Sequence, residues 1–210
     1  PDLGTAFLIG AGGGIVIWLA GVKMKFFAYL TAILLSIAPV AISFLKPSQK
    51  SRILTFLDPS RDPLGAGYQI TQSKIAIGSG GFFGKGFLNG SQSYLDYLPE
   101  KHTDFIFTLF SEEFGFFGSS LILALYVLIA YRLVKIGNSV RDTFGKLYCY
   151  SFATAFFIYV AVNMGMVLGL IPIVGAPLPI LSYGGSSMLA MMFGLGIAMS
   201  CKIHKDQPIG

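Results

Sequence analysis

The chain has 210 residues, of which 54% are hydrophobic and only 12% charged. A water-soluble domain carries about 25% charged residues, so this composition excludes an ordinary soluble globule and points to a bilayer as solvent. The formal net charge of +5 does not call for a nucleic-acid partner, because in a membrane protein the position of the charges matters more than their sum.

The expected fold is all-α and polytopic. A spanning helix needs roughly 20 apolar residues. The chain opens at Pro1, without an initiator Met or a signal peptide, and reads as the C-terminal part of a longer polypeptide. Residues 3–22 and 26–45 form the first two expected spans, with Lys23 and Lys25 in the turn between them. A long segment, 46–113, follows. A third span is expected over 114–131. The run 147–201 carries no charge and is too long for one helix; Pro172, Gly175, Pro177 and Pro179 divide it into spans at 147–169 and 182–201.

Alternating these five spans sorts the charges. One side receives Lys23, Lys25, Arg132, Lys135, Arg141, Lys146, Lys202 and Lys205 against Asp142 and Asp206. By the positive-inside rule that side is cytoplasmic. The other side holds Asp2 and the segment 46–113, where seven basic residues meet seven acidic ones. The long segment is therefore expected to be extracytoplasmic, to fold onto the bilayer surface and to carry the functional site. Within it, Tyr68–Ile77 reads as a short amphipathic or partly inserted helix, and Asp104–Phe114 as a helix leading into the third span.

Asp104 stands between the polar run Leu98–Thr103 and the apolar run Phe105–Phe107. A carboxylate at such a boundary is partly desolvated, which raises its pKa and suits a general base. It equally suits an N-cap, and both readings stay open. The basic residues Lys46, Lys50, Arg52, Arg61, Lys74, Lys85 and Lys101 lie where Lys and Arg are normally scarce, which fits an anionic ligand or anionic head groups. Among them Lys74 lies in a mostly uncharged stretch. The run Gly78–Gly86 lacks the Ser or Thr that a phosphate loop has after its Lys, and reads as a sharply turned connection. Glu112 and Glu113 are adjacent, so they do not face each other on a helix and make a poor acid/base pair. They read as interfacial charges, one in a salt bridge. Cys149 and Cys201 read as small apolar residues, and His102 and His204 give no zinc spacing.

Several strings then carry a resemblance. Pro1–Thr5 (PDLGT), Phe56–Pro59 (FLDP) with Asp62–Gln69 (DPLGAGYQ), and Ala76–Gly81 fall in order. So do Leu98–Glu100, His102–Phe107 (HTDFIF) with Glu112–Glu113, Val174–Pro179 (VGAPLP) and Ser182–Ser186 (SYGGS). Together they resemble the SEDS family (shape, elongation, division and sporulation). Gly90–Ser93 and the VGAPLP block are closer to its elongation branch, RodA, than to its division branch, FtsW.

The resemblance implies about ten transmembrane helices, of which these are the last five, in the bacterial cytoplasmic membrane. It implies a peptidoglycan glycosyltransferase that polymerises lipid II during cell elongation, with a class B penicillin-binding protein as partner. Asp104 matches the family's essential loop aspartate and takes the catalytic base role. Lys74, Lys101 and Arg52 become candidates for pyrophosphate contact, and Glu100, His102 and Thr103 for substrate contact nearby. A divalent cation such as Mg2+ or Mn2+ can serve the same leaving group, although no ligand set is evident. A lipid II flippase and a non-catalytic scaffold of the cell-wall complex are the rival readings.

Overall fold

The computed structural model describes residues 3–43, 47–62, 65–90 and 102–206. The described residues hold seven α-helices: α1 (Leu3–Leu19), α2 (Met24–Ser43), α3 (Pro47–Leu57), α4 (Ala66–Ser79), α5 (Ile106–Ser139), α6 (Thr143–Val167) and α7 (Gly185–Ile203), with a 3-10 turn at Pro59–Arg61. Three of them, α5, α6 and α7, are long and apolar enough to cross a membrane. In α1 and α2 the described apolar stretches are shorter, Ala6–Leu19 and Met24–Ile37.

Helices α5 and α6 pack along each other and carry the core, with α1 against α6 and α4 against α5. The larger core cluster joins Phe105, Phe107 and Tyr126 to Phe156, Val160, Met166 and Val167, and closes on Leu178 from the connection between α6 and α7. A second cluster, Leu133, Cys149, Ala153 and Ala198, ties the other ends of α5, α6 and α7. Elsewhere large apolar side chains face outward along α5 and α7, as a bilayer rather than water demands.

Three boundaries differ from the sequence expectation. The third span, expected over 114–131, starts at the break at Gly115 inside a 34-residue helix from Ile106, but runs on to Ser139. The span expected over 147–169 ends at Val167, because the chain reverses at Gly169 with φ +68°. The last helix starts at Gly185, not at Ser182, since the Ser182 hydroxyl accepts from the Leu178 N–H at 2.7 Å and shapes the connection instead. The expectation for Tyr68–Ile77 holds as part of α4, whose first turn is closed by Asp62: its carboxylate accepts from the Ala66 N–H at 2.8 Å. Upstream, the Asp58 carboxylate accepts from Ser60 and pairs with Arg61 at 3.1 Å. Those contacts, Ser60 first, hold its carboxyl below the usual carboxylate range.

Helix α5 is broken at Gly115 (φ +65°, ψ −162°). In an unbroken helix the Phe116 and Phe117 N–H groups would bond to the carbonyls of Glu112 and Glu113. Instead the Gly-rich turn takes all four groups. Phe116 N–H donates to Gly81 O at 2.9 Å and Phe117 N–H to Phe82 O at 3.0 Å. Glu112 O and Glu113 O accept from the N–H groups of Lys85 and Gly86, each at 3.0 Å. The run read as a sharp connection is thus a backbone stitch across a helix break. Such contact needs bare backbone: a Cβ on Gly84 would run into the Glu113 carbonyl and come within 2.7 Å of the Gly115 nitrogen.

Candidate functional site

The site is built around the turn that leads into α5. Residues 102–105 form that turn, and its three successive carbonyls are each held by a different group. Tyr183 N–H donates to His102 O at 2.9 Å. Ser182 Oγ donates to Thr103 O at 2.7 Å. Asn163 Nδ2 donates to Asp104 O at 2.8 Å, and the same amide nitrogen donates to Ala176 O at 2.7 Å. The next residue, Phe105, is buried in the main core. The backbone of the turn is therefore fixed from α6 and from the connection 168–184, and a shift of Asp104 requires breaking buried hydrogen bonds.

The same connection forms the wall beside Asp104. Gly175 has φ +74°, and a Cβ built there would lie 3.6 Å from Asp104 Oδ2. Tyr126 holds the connection from α5, its hydroxyl donating to Pro179 O at 2.7 Å. Helix α5 has its N-cap position at Phe105, with no side-chain capping bond there. Asp104 lies one residue earlier, within the turn. The half-buried Asp104 side chain sits where a rigid backbone holds it against a glycine.

Beside this turn opens a groove of about 640 Å³, lined by His102, Ile106, Leu181, Ser182, Tyr183 and Met188 among others. Its wall is mostly apolar, with the His102 ring and the 81%-exposed Tyr183 as polar elements. Such a groove suits a ligand that is apolar over most of its length with a polar end. A smaller cavity of about 320 Å³ is lined by the 175–180 segment, Gly175 included, with Leu8, Tyr159 and Met191.

The basic candidates line up along the same connection. Arg52 Nη1 lies 3.5 Å from Ile173 O, two residues from Gly175. The Lys74 side chain lies over Gly169, with Nζ 2.6 Å from the position of a Cβ there. That places its ammonium just past the C-terminus of α6, where the helix dipole favours a cation. Helix α4 is locked to this spot by Ser73, whose hydroxyl donates to Val167 O at 2.8 Å and pairs with Thr108 Oγ1 at 2.7 Å. Arg52, Lys74 and Asp104 thus meet one connecting segment at three points. Thr103 contributes its backbone carbonyl to the latch. Glu100 and Lys101 lie outside the described residues. Among the described residues no group of three or more His, Cys, Asp or Glu gathers into a metal-ligand set.

Glu112 is fully buried and pairs with Lys85 at 2.7 Å, so the salt bridge expected of one of the two adjacent glutamates is present. Asn163 and Ser182 were not legible as a pair. Asn163 is, however, the sole Asn or Gln in the uncharged run 147–201, and a lone amide in a span is a signal of a specific polar partner.

Comparisons with known proteins agree with this architecture. Residues 1–207 match the family model FTSW_RODA_SPOVE, described as a cell cycle protein. The chain is 46% identical over 206 residues to the peptidoglycan glycosyltransferase MrdB of Escherichia coli (strain K12), covering 98% of this chain and 56% of that protein. It is 46% identical over 161 residues to the peptidoglycan glycosyltransferase RodA of Treponema pallidum (strain Nichols), covering 77% of this chain and 37% of that protein. A solved chain from a peptidoglycan synthase complex that coordinates polymerization and crosslinking superposes with a TM-score of 0.79 at 36% identity, over 99% of this chain and 57% of the other. The chain spans between 37% and 57% of the length of these relatives. With its all-helical build, its long apolar helices and a match over nearly every residue, the chain belongs to the FtsW/RodA/SpoVE family of multi-pass membrane proteins.

Proposed function

We propose that the full-length protein is a peptidoglycan glycosyltransferase that polymerises lipid II, and that the turn at Asp104 is its reacting centre. The observation that carries this reading is the latch: three consecutive carbonyls held by Tyr183, Ser182 and Asn163 fix a carboxylate against Gly175 beside an apolar groove. A base must be held within a fraction of an ångström of its proton to be effective. In the reaction, the acceptor sugar hydroxyl oxygen bonds to the anomeric carbon of the donor sugar. The bond from that carbon to the pyrophosphate oxygen breaks, the hydroxyl proton passes to Asp104, and the undecaprenyl pyrophosphate leaves. Arg52 from α3 and Lys74 from α4, both set against the connection behind Asp104, take the leaving-group charge. The described residues supply no ready ligand set for a divalent cation, and no step is assigned to one.

This reading places the segment 46–113 on the extracytoplasmic face of the bacterial cytoplasmic membrane, because the basic residues of the other loops mark the inner face. A class B penicillin-binding protein is its partner, a role supported by the similarity to a chain of a polymerization and crosslinking complex.

The test uses the full-length protein with its transpeptidase partner and labelled lipid II in detergent. Detergent removes the two membrane sides, so polymerisation is read apart from lipid transfer across a bilayer. Glycan ladders are the expected product. Absence of ladders from a confirmed complex, with lipid II crossing the bilayer in proteoliposomes, contradicts the polymerase and supports a flippase.

A further inference from the structure

We propose that the Gly80–Leu88 turn is a membrane anchor, seated in the acyl-chain region of the leaflet next to the site rather than in water or against a protein partner. The turn presents Phe82, Phe83, Phe87 and Leu88 at 57%, 80%, 68% and 69% exposure. Four large apolar side chains on one short loop are a heavy penalty in water. Leu88 is also held at φ +62°, a region that L side chains rarely adopt.

Irregular backbone enters hydrocarbon only when its polar groups are satisfied within the protein. The stitch meets that condition for the backbone groups that face α5. Gly81 O, Phe82 O, Lys85 N–H and Gly86 N–H all bond to the 112–117 stretch of α5, and Gly84 N–H donates to Gly80 O at 2.8 Å. Its one charge is neutralised: Lys85, partly exposed, is paired with the buried Glu112 carboxylate at 2.7 Å, which lowers the cost of carrying it near hydrocarbon. The other charge at this level, Glu113, lies half-buried on α5.

Depth follows from the same hydrogen bonds. The loop is bonded to Phe116 and Phe117, which belong to an apolar helix long enough to span. Phe82 packs against Phe83 at 4.9 Å and against Phe116 at 5.8 Å between ring centroids, and Phe87 reaches Phe114 at 6.4 Å. The loop's apolar face is thus continuous with Phe116, Phe117, Leu121 and Leu125, the outward face of α5. A surface continuous with a spanning wall meets what that wall meets, which is lipid. Held this way, the loop fixes the height of α4 relative to the bilayer, and Lys74 on α4 with it.

The test is site-directed spin labelling of the full-length protein in phosphatidylethanolamine–phosphatidylglycerol liposomes. A nitroxide is placed at Phe83→Cys in a background with Cys149 and Cys201 replaced, and in separate samples at Phe87→Cys, at Leu121→Cys as a span marker and at Ser60→Cys as a water marker. Power saturation compares collisions with oxygen, which concentrates in lipid, and with a neutral nickel chelate, which stays in water. The expected result is oxygen outweighing nickel at 83 and 87, as at 121 and opposite to 60. Nickel outweighing oxygen at 83 and 87 overturns the proposal in favour of a water-facing loop. Labels shielded from both reagents overturn it in favour of protein covering the loop. The two label sites are independent, so failure of one variant to fold leaves the other to decide. None of these outcomes depends on the protein being a polymerase.

Discussion

Asn163→Leu is expected to lower the polymerisation rate per folded molecule by about 100-fold, with little change in the apparent affinity for lipid II. Leucine keeps the branched outline and removes the amide that joins two segments. Its Nδ2 holds Asp104 O and Ala176 O together at 2.8 and 2.7 Å, and a buried carbonyl stripped of its donor costs about 1–3 kcal/mol. Both amide protons are committed to these carbonyls, and Oδ1 has no bonded partner among the described residues. Only the donors of this side chain are therefore needed. Asn163→Asp, nearly identical in shape but with at most one proton to donate where the amide donates two, is expected to be defective as well. The measurement is kcat and KM on the full-length complex, normalised to folded protein. A stability loss with unchanged kcat per folded molecule makes Asn163 a structural residue only.

The second large effect falls on the helix break. Lys85→Met is expected to destabilise the protein by about 2–4 kcal/mol, because it removes the ammonium set against a fully buried carboxylate. The lower part of that range reflects the partial exposure of Lys85, which screens the pair. Glu112→Leu alone leaves the ammonium behind in the same apolar surroundings. The double variant is expected to recover most of the loss, since apolar replacement of a buried pair is often close to neutral. A double-mutant cycle of thermal unfolding in detergent reads the coupling. Additive single effects contradict the view that the two charges stabilise the stitch together.

Much of this fold is legible in the sequence because hydrocarbon enforces simple rules. Charge-free runs located the elements, and the Pro and Gly residues between 169 and 180 divided the last run correctly. The helix from Asp104 toward Phe114 and the short helix near Tyr68 followed from local pattern. What was not legible is long-range. Nothing local says that the Gly81–Gly86 backbone supplies the hydrogen bonds missing at Gly115, some 30 residues away. A span read from hydropathy alone begins at 114, one residue before the break at Gly115, and the helical segment from Ile106 runs on into it across that break.

The site divides in the same way. Asp104 stood out as a carboxylate at the edge between polar and apolar sequence. His102 was named beside it, and the structure puts it on the groove. Lys74 follows from charge placement and Arg52 from the family resemblance, and the connection that gathers them with Asp104 is visible only in three dimensions. The latch role of Asn163 and of Ser182, the first residue of the SYGGS string, is not legible because each acts through backbone carbonyls.

The most direct test of the central claim is the glycan-ladder assay on Asp104→Ala in the full-length protein with its transpeptidase partner. Folding is to be confirmed by monodispersity and retained complex formation. The account predicts ladders from the wild-type protein and a loss of at least about 100-fold in the variant, the scale of a missing general base. Ladders of wild-type length and rate from a folded Asp104→Ala protein would contradict it, and would leave the latch holding a turn that takes no part in the chemistry.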